Sequence, residues 1–179
     1  MIVWLLAIGA ISMLGQVVLL RELSVAFFGS ELIYVLALGV WLLGTALGAA
    51  SGRASHVPRE RSVRWLLVVL GLVLPLAVVL ARAVRVVFCG VPGAYLPFGR
   101  QMLAMVACVV PVAFLLGLLF QWAAKRFVDT GRPLARAYAV ESVGGIVGGL
   151  LATVLLAAGM PNLGAALLCA LCAFARYRS

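Results

Sequence analysis

The chain is poor in the groups that carry out chemistry. Its 179 residues hold five Asp and Glu and a single histidine. That histidine, His56, lies in a basic loop, so there is no Ser-His-Asp set and no HExxH pair. The few acids form no pair at a spacing suited to a polar catalytic pocket. A Walker loop is also missing. The stretch Gly144-Gly145-Ile146-Val147-Gly148-Gly149 is no nucleotide loop, because it lacks a preceding strand and an acidic residue further on. The chain therefore reads as non-enzymatic, with no cofactor and no metal. Charge of either sign is scarce, at 11% of residues against ~25% in soluble domains.

Apolar side chains fill the space that charge leaves. They make up 66% of the chain, against ~45–50% in a soluble domain. A soluble fold of this size could not hide that much apolar surface. A bilayer removes the difficulty, and the expected fold class is an all-α integral membrane protein. The net charge of +9 comes in short clusters between apolar runs, which suits an anionic membrane surface and not nucleic acid.

A span needs ~20 predominantly apolar residues. The runs predict one transmembrane domain over 1–179, a polytopic bundle of about six helices. Their expected limits are 2–28, 31–52, 64–82, 100–124, 136–159 and 162–177. Five have the length. The apolar part of the sixth, Leu163–Ala175, covers only ~20 Å of a ~30 Å core. The first run has no basic n-region and no A-x-A-like site, so it reads as a retained helix and not a signal peptide. Residues 83–99 mix Arg85, Phe88, Tyr95 and Phe98 with glycine and proline, which predicts an interfacial segment. A lid over a site between helices is the sharper alternative. Basic loops follow helices two and four, placing both termini in the cytoplasm of a bacterial-type inner membrane.

Several residues stand out inside this frame. Gly44 and Gly48 on helix two, and Gly145 and Gly148 on helix five, suit close helix packing. Glu141, Gly145, Gly148 and Ala152 share a helix face, so Glu141 is expected where another helix comes close. Ionisable groups at membrane depth are costly and mark candidate sites. Arg21, Glu22, Glu31 and Glu141 qualify as ligand or proton candidates, with Gln16 beside them as a source of interhelical hydrogen bonds. Structural roles are open to each. Arg21 can snorkel, and Glu31 after an N-capping Ser30 favours the positive helix end. Arg136 is too local to serve Glu141, which can pair with Arg53 or Arg126, or else bind a ligand or proton. Cys169 and Cys172 have CxxC spacing but no second pair or histidine nearby, so they read as small apolar residues on adjacent turns.

Two stretches carry a family resemblance. Residues 15–49, GQVVLLRELSVAFFGSELIYVLALGVWLLGTALGA, and 135–149, ARAYAVESVGGIVGG, resemble the membrane-embedded N-terminal region of spermidine synthase-like proteins. The matching features are Gln16, Arg21-Glu22, Gly29-Ser30-Glu31, Trp41-Leu42-Leu43-Gly44, Arg136-Ala137-Tyr138, Glu141 and the glycine run. The resemblance implies a module like half of a major-facilitator-type transporter, here without the soluble synthase domain. The expected function is a membrane subunit that anchors or organises a larger assembly, with a spermidine synthase-like or redox partner. Its expected partners are the bilayer and another protein or a second copy. The alternative is a half-module that dimerises to carry a small cation such as a polyamine, with Glu22, Glu31 and Glu141 lining its path.

Overall fold

The computed structural model of the chain describes residues 2–28, 31–56, 58–88 and 96–178, with side chains to Phe174 in the last helix. It contains six helices: α1 (Ile2–Ala26), α2 (Glu31–Ala54), α3 (Glu60–Val87), α4 (Phe98–Asp129), α5 (Leu134–Ala157) and α6 (Asn162–Arg178). No strand occurs among the described residues. In lipid a backbone must satisfy its own polar groups, which helices do within one segment. α1 to α5 are each long and apolar enough to cross a bilayer, which fits a multi-pass membrane protein. The apolar part of α6, Asn162–Phe174, is shorter.

Several helix ends differ from the sequence expectation, for a common reason. α3 runs through Arg82 and Arg85 to Val87, so 83–87 is helix and not interfacial loop. Both cations find partners on α1 and its end, Arg82 on Glu22 and Arg85 on the Ala26 carbonyl and the Phe28 ring. α3 also starts earlier, at Glu60, where Arg64 closes an i,i+4 pair at 2.8 Å. α4 continues past Lys125 and Arg126 to Asp129. Long basic side chains end the apolar run without ending the helix, because their heads reach polar partners. The proposed Ser30 cap lies outside the described residues, as do 89–95, on which a lid would depend. Between α5 and α6 the chain turns at Gly159, whose φ of +83° suits glycine, and the Met160 N–H reaches back to the Leu155 carbonyl at 3.0 Å.

The helices pair as α1 with α5, α2 with α4, and α3 with α6. α1 and α4 also touch each other, whereas α2 and α5 do not. α3 and α6 pack behind α1, and α3 reaches α4 as well. Hence α1 and α4 form a floor, with α2 and α5 standing apart as walls in front of it. Glycine makes the two tight pairs possible. A Cβ on Gly9 would overlap the Glu141 carbonyl, and one on Gly144 would overlap Leu6. A Cβ on Gly48 would overlap the Phe114 carbonyl, and one on Gly117 would overlap Thr45. Such backbone-to-backbone approach is how helices associate where lipid supplies no hydrophobic drive.

These contacts repeat in register. Leu6 and Gly9 of α1 correspond to Phe114 and Gly117 of α4, 108 positions on. Thr45 and Gly48 of α2 correspond to Glu141 and Gly144 of α5, 96 positions on. Gly52 and Gly148 follow the same offset and meet the equivalent residues Leu118 and Ala10. The pairings α1·α5 and α2·α4 exchange under this correspondence, while α3·α6 maps onto itself. The contacts among α1, α2, α4 and α5 thus follow a pseudo-two-fold, from which α3 and α6 depart, since α3 touches α1 whereas α6 does not touch α4.

One end of α2 is locked by side chains from α4. Lys125 Nζ donates to the carbonyls of Gly52 and Arg53, each at 2.9 Å, and to that of Ser55. Trp122 Nε1 donates to Ser55 Oγ at 2.9 Å, and Arg126 to the Pro58 carbonyl at 3.0 Å. A cation on the last carbonyls of a helix answers its negative end. Lys125→Met should cost about 1.5–3 kcal/mol, the worth of a charged hydrogen-bond donor. Thermal unfolding in detergent should record a midpoint lower by about 3–12 °C for a chain of this size; an unchanged midpoint would deny the lock.

Candidate functional site

The floor and walls enclose an open groove of about 400 Å³. Its lining falls into pairs related by the pseudo-two-fold. Ile8 of α1 faces its equivalent Leu116 of α4, and Ser12 its equivalent Phe120. Leu42 of α2 corresponds to Tyr138 of α5, and Thr45 to Glu141. Ala46, Ala49 and Gly117 complete the lining. The groove therefore lies on the axis between the two repeats.

The frame is symmetric but the side chains are not. Glu141 is half-buried and is the one ionisable carboxylate in the lining. Among the described residues it has no ion-pair or hydrogen-bond partner. The expected bridges do not form. Arg126 serves Pro58 and Glu60, while Arg53 is exposed. Glu141 lies seven residues into α5, about 10 Å along the helix from its start. Tyr138, one turn earlier, packs its ring on Phe120 with centroids 4.9 Å apart and planes inclined by 52°. On the opposite wall, Thr45 Oγ1 is spent on its own helix, 2.9 Å from the Leu42 carbonyl. The groove thus has an anionic, aromatic side on α5 and an apolar side on α2.

The other candidates are elsewhere. Glu22 is buried, and its carboxylate takes Arg82 Nε at 2.8 Å and Nη2 at 2.7 Å. Gly9 of α1 packs on the Glu141 backbone, and Glu22 is thirteen residues further along α1, about 20 Å at 1.5 Å per residue. Arg21 and Glu31 are exposed near that same far end. The four charges picked from the sequence therefore do not meet, and only Glu141 belongs to the groove. Gln16 makes no hydrogen bond among the described residues. It sits one turn beyond Ser12 on the same stripe of α1.

The packing glycines differ in what a side chain on each would meet. Gly48 and Gly148 meet backbone, and Gly44 meets the Ala113 methyl, as expected of a close interface. Gly145 takes part through its backbone, whose N would lie 2.9 Å from a Cβ on Gly9, while a Cβ on Gly145 itself would have only the Gly9 carbonyl near it, at 3.9 Å. On α5 it is a Cβ on Gly144, one residue away, that would strike the backbone of α1. Cys169 is buried and Cys172 exposed, so the CxxC pair does not converge on one point. No group of three or more metal-ligating side chains occurs among the described residues.

Comparison with protein-family models, with curated proteins and with solved structures gives no match for this chain.

Proposed function

We propose that the chain is a non-enzymatic membrane subunit that works as one half of a larger assembly, docking through the face formed by α2 and α5. The observation that carries this reading is the unpaired Glu141 in a groove left open on that face. A carboxylate at membrane depth needs a counter-group, and none of this chain's described side chains supplies one. The burial pattern agrees. Only 17% of the spanning part of α5 is interior, against 50% for α4. A fitting partner is a second membrane body, whether a second copy or a different subunit.

The pseudo-two-fold supports reading the bundle as half of a facilitator-type transporter, because repeats inverted across the membrane place sites at their interface. The resemblance to the membrane part of spermidine synthase-like proteins belongs to the same proposal. Its two stretches supply opposite walls of the groove, Leu42 and Thr45 from the first and Tyr138 and Glu141 from the second. The basic ends, which include the Lys125 lock, would then face the cytoplasm with both termini.

A second reading, a half-module that carries a small cation, is favoured by the aromatic pair beside Glu141. The test for both is purification from native membranes in mild detergent, with mass spectrometry of what comes along. A stoichiometric partner, or a stable homodimer, is expected. A strictly monomeric chain in nanodiscs and in native membranes would contradict the docking reading.

A further inference from the structure

We infer that the groove binds a singly charged organic amine with an apolar body, its ammonium at Glu141 and its body along the wall of α2. This deepens the reading of the groove as the functional face and rests on it. Three observations define the ligand. First, the lining carries a single carboxylate and no cationic side chain. One positive charge is matched, whereas a second would sit unpaired among Ile8, Leu42 and Leu116, at the cost of burying a lone charge. A polyamine would need further carboxylates, and Glu22 is already held by Arg82 about 20 Å away.

Second, the cation end is equipped beyond a carboxylate. The Tyr138 and Phe120 rings stand together beside Glu141, and ring faces attract ammonium groups within ~6 Å. The hydroxyls of Ser12 and Tyr138 make no hydrogen bond among the described residues and remain available as acceptors. A bare proton would use none of these. Third, the volume of about 400 Å³ falls in the range of small-molecule sites, ~300–1,000 Å³. The pseudo-two-fold makes the polarity of the site explicit. Where α5 presents Glu141 and Tyr138, α2 presents Thr45, whose hydroxyl is already engaged, and Leu42. An amphiphile fits such a site in one orientation.

The test is isothermal titration of the full chain in zwitterionic-lipid nanodiscs, with empty nanodiscs as the blank. The probes are 4-phenylbutylamine, its neutral counterpart 4-phenylbutanol, and spermidine. The amine should bind at least ten-fold more tightly than the alcohol and more tightly than spermidine. Glu141→Gln should erase the preference for amine over alcohol, while Glu31→Gln should keep it. The comparison of amine with alcohol on the unaltered chain stands even if Glu141→Gln fails to fold. Equal binding of amine and alcohol, tighter binding of spermidine, or no binding of any probe would overturn the inference. A monomeric chain that still prefers the amine would refute the docking reading alone.

Discussion

Gly144→Leu should abolish the folded protein, and Gly144→Ala should weaken it, while Gly145→Ala does neither. The three atoms nearest a Cβ on Gly144 are all backbone of Leu6, which cannot rotate aside. α1 and α5 would have to separate along the whole contact that runs through Gly9, Gly144 and Gly148. Overpacking of this kind costs about 1–3 kcal/mol per small intrusion, which for a chain of this size means a midpoint about 2–12 °C lower for the alanine variant. At Gly145 an added methyl meets ordinary contact distance, and alanine's better helix propensity offsets any crowding. The α2·α4 pair should repeat the pattern in graded form. Gly48→Ala strikes the Phe114 backbone, Gly44→Ala meets a methyl group, and Gly52→Ala meets the flexible Gln121 side chain. Thermal unfolding by intrinsic tryptophan fluorescence reads all five alanine variants, and Gly145→Ala falling as far as Gly144→Ala would refute the assigned faces.

Arg82→Ala should be nearly as damaging, for an electrostatic reason. Glu22 is 6% exposed, and among the described residues it pairs with Arg82. Removing the guanidinium strands a buried carboxylate. Breaking a fully buried pair costs about 3–5 kcal/mol, and the half-exposed Arg82 places this pair below that range, at about 2 kcal/mol. The loss should be largely recovered by also changing Glu22 to Gln, since the double variant leaves no stranded charge. A double-mutant cycle on unfolding midpoints measures this coupling directly. Additive losses would show that the two side chains act independently.

How much of this was legible in the sequence depends on range. Hydropathy marked the six helices, because a spanning helix is defined by its own residues. Helix ends were misjudged where Arg82, Arg85, Lys125 and Arg126 were read as breaks, since their partners lie on other helices. Glu141 stood out as a membrane-depth acid, and the structure leaves it unpaired in the groove. Its setting was hidden, because Thr45, Phe120 and Leu42 join it only through tertiary packing. One local signal was available. Thr45-x-x-Gly48-x-x-x-Gly52 and Glu141-x-x-Gly144-x-x-x-Gly148 are the same pattern on two helices. It adds Gly144 to the tight contact and pairs Thr45 with Glu141 across one axis. The Glu22–Arg82 pair carried no such mark, being sixty residues apart with Arg21 adjacent as a decoy.

The central claim is that another membrane body covers the α2/α5 face. Photo-crosslinking in intact membranes addresses it most directly, with a photoreactive residue placed at Leu43 on α2, Leu150 on α5 or Leu76 on α3, all exposed. The account predicts a discrete protein adduct from Leu43 and Leu150 and only lipid adducts from Leu76. Lipid adducts alone at all three positions would contradict it.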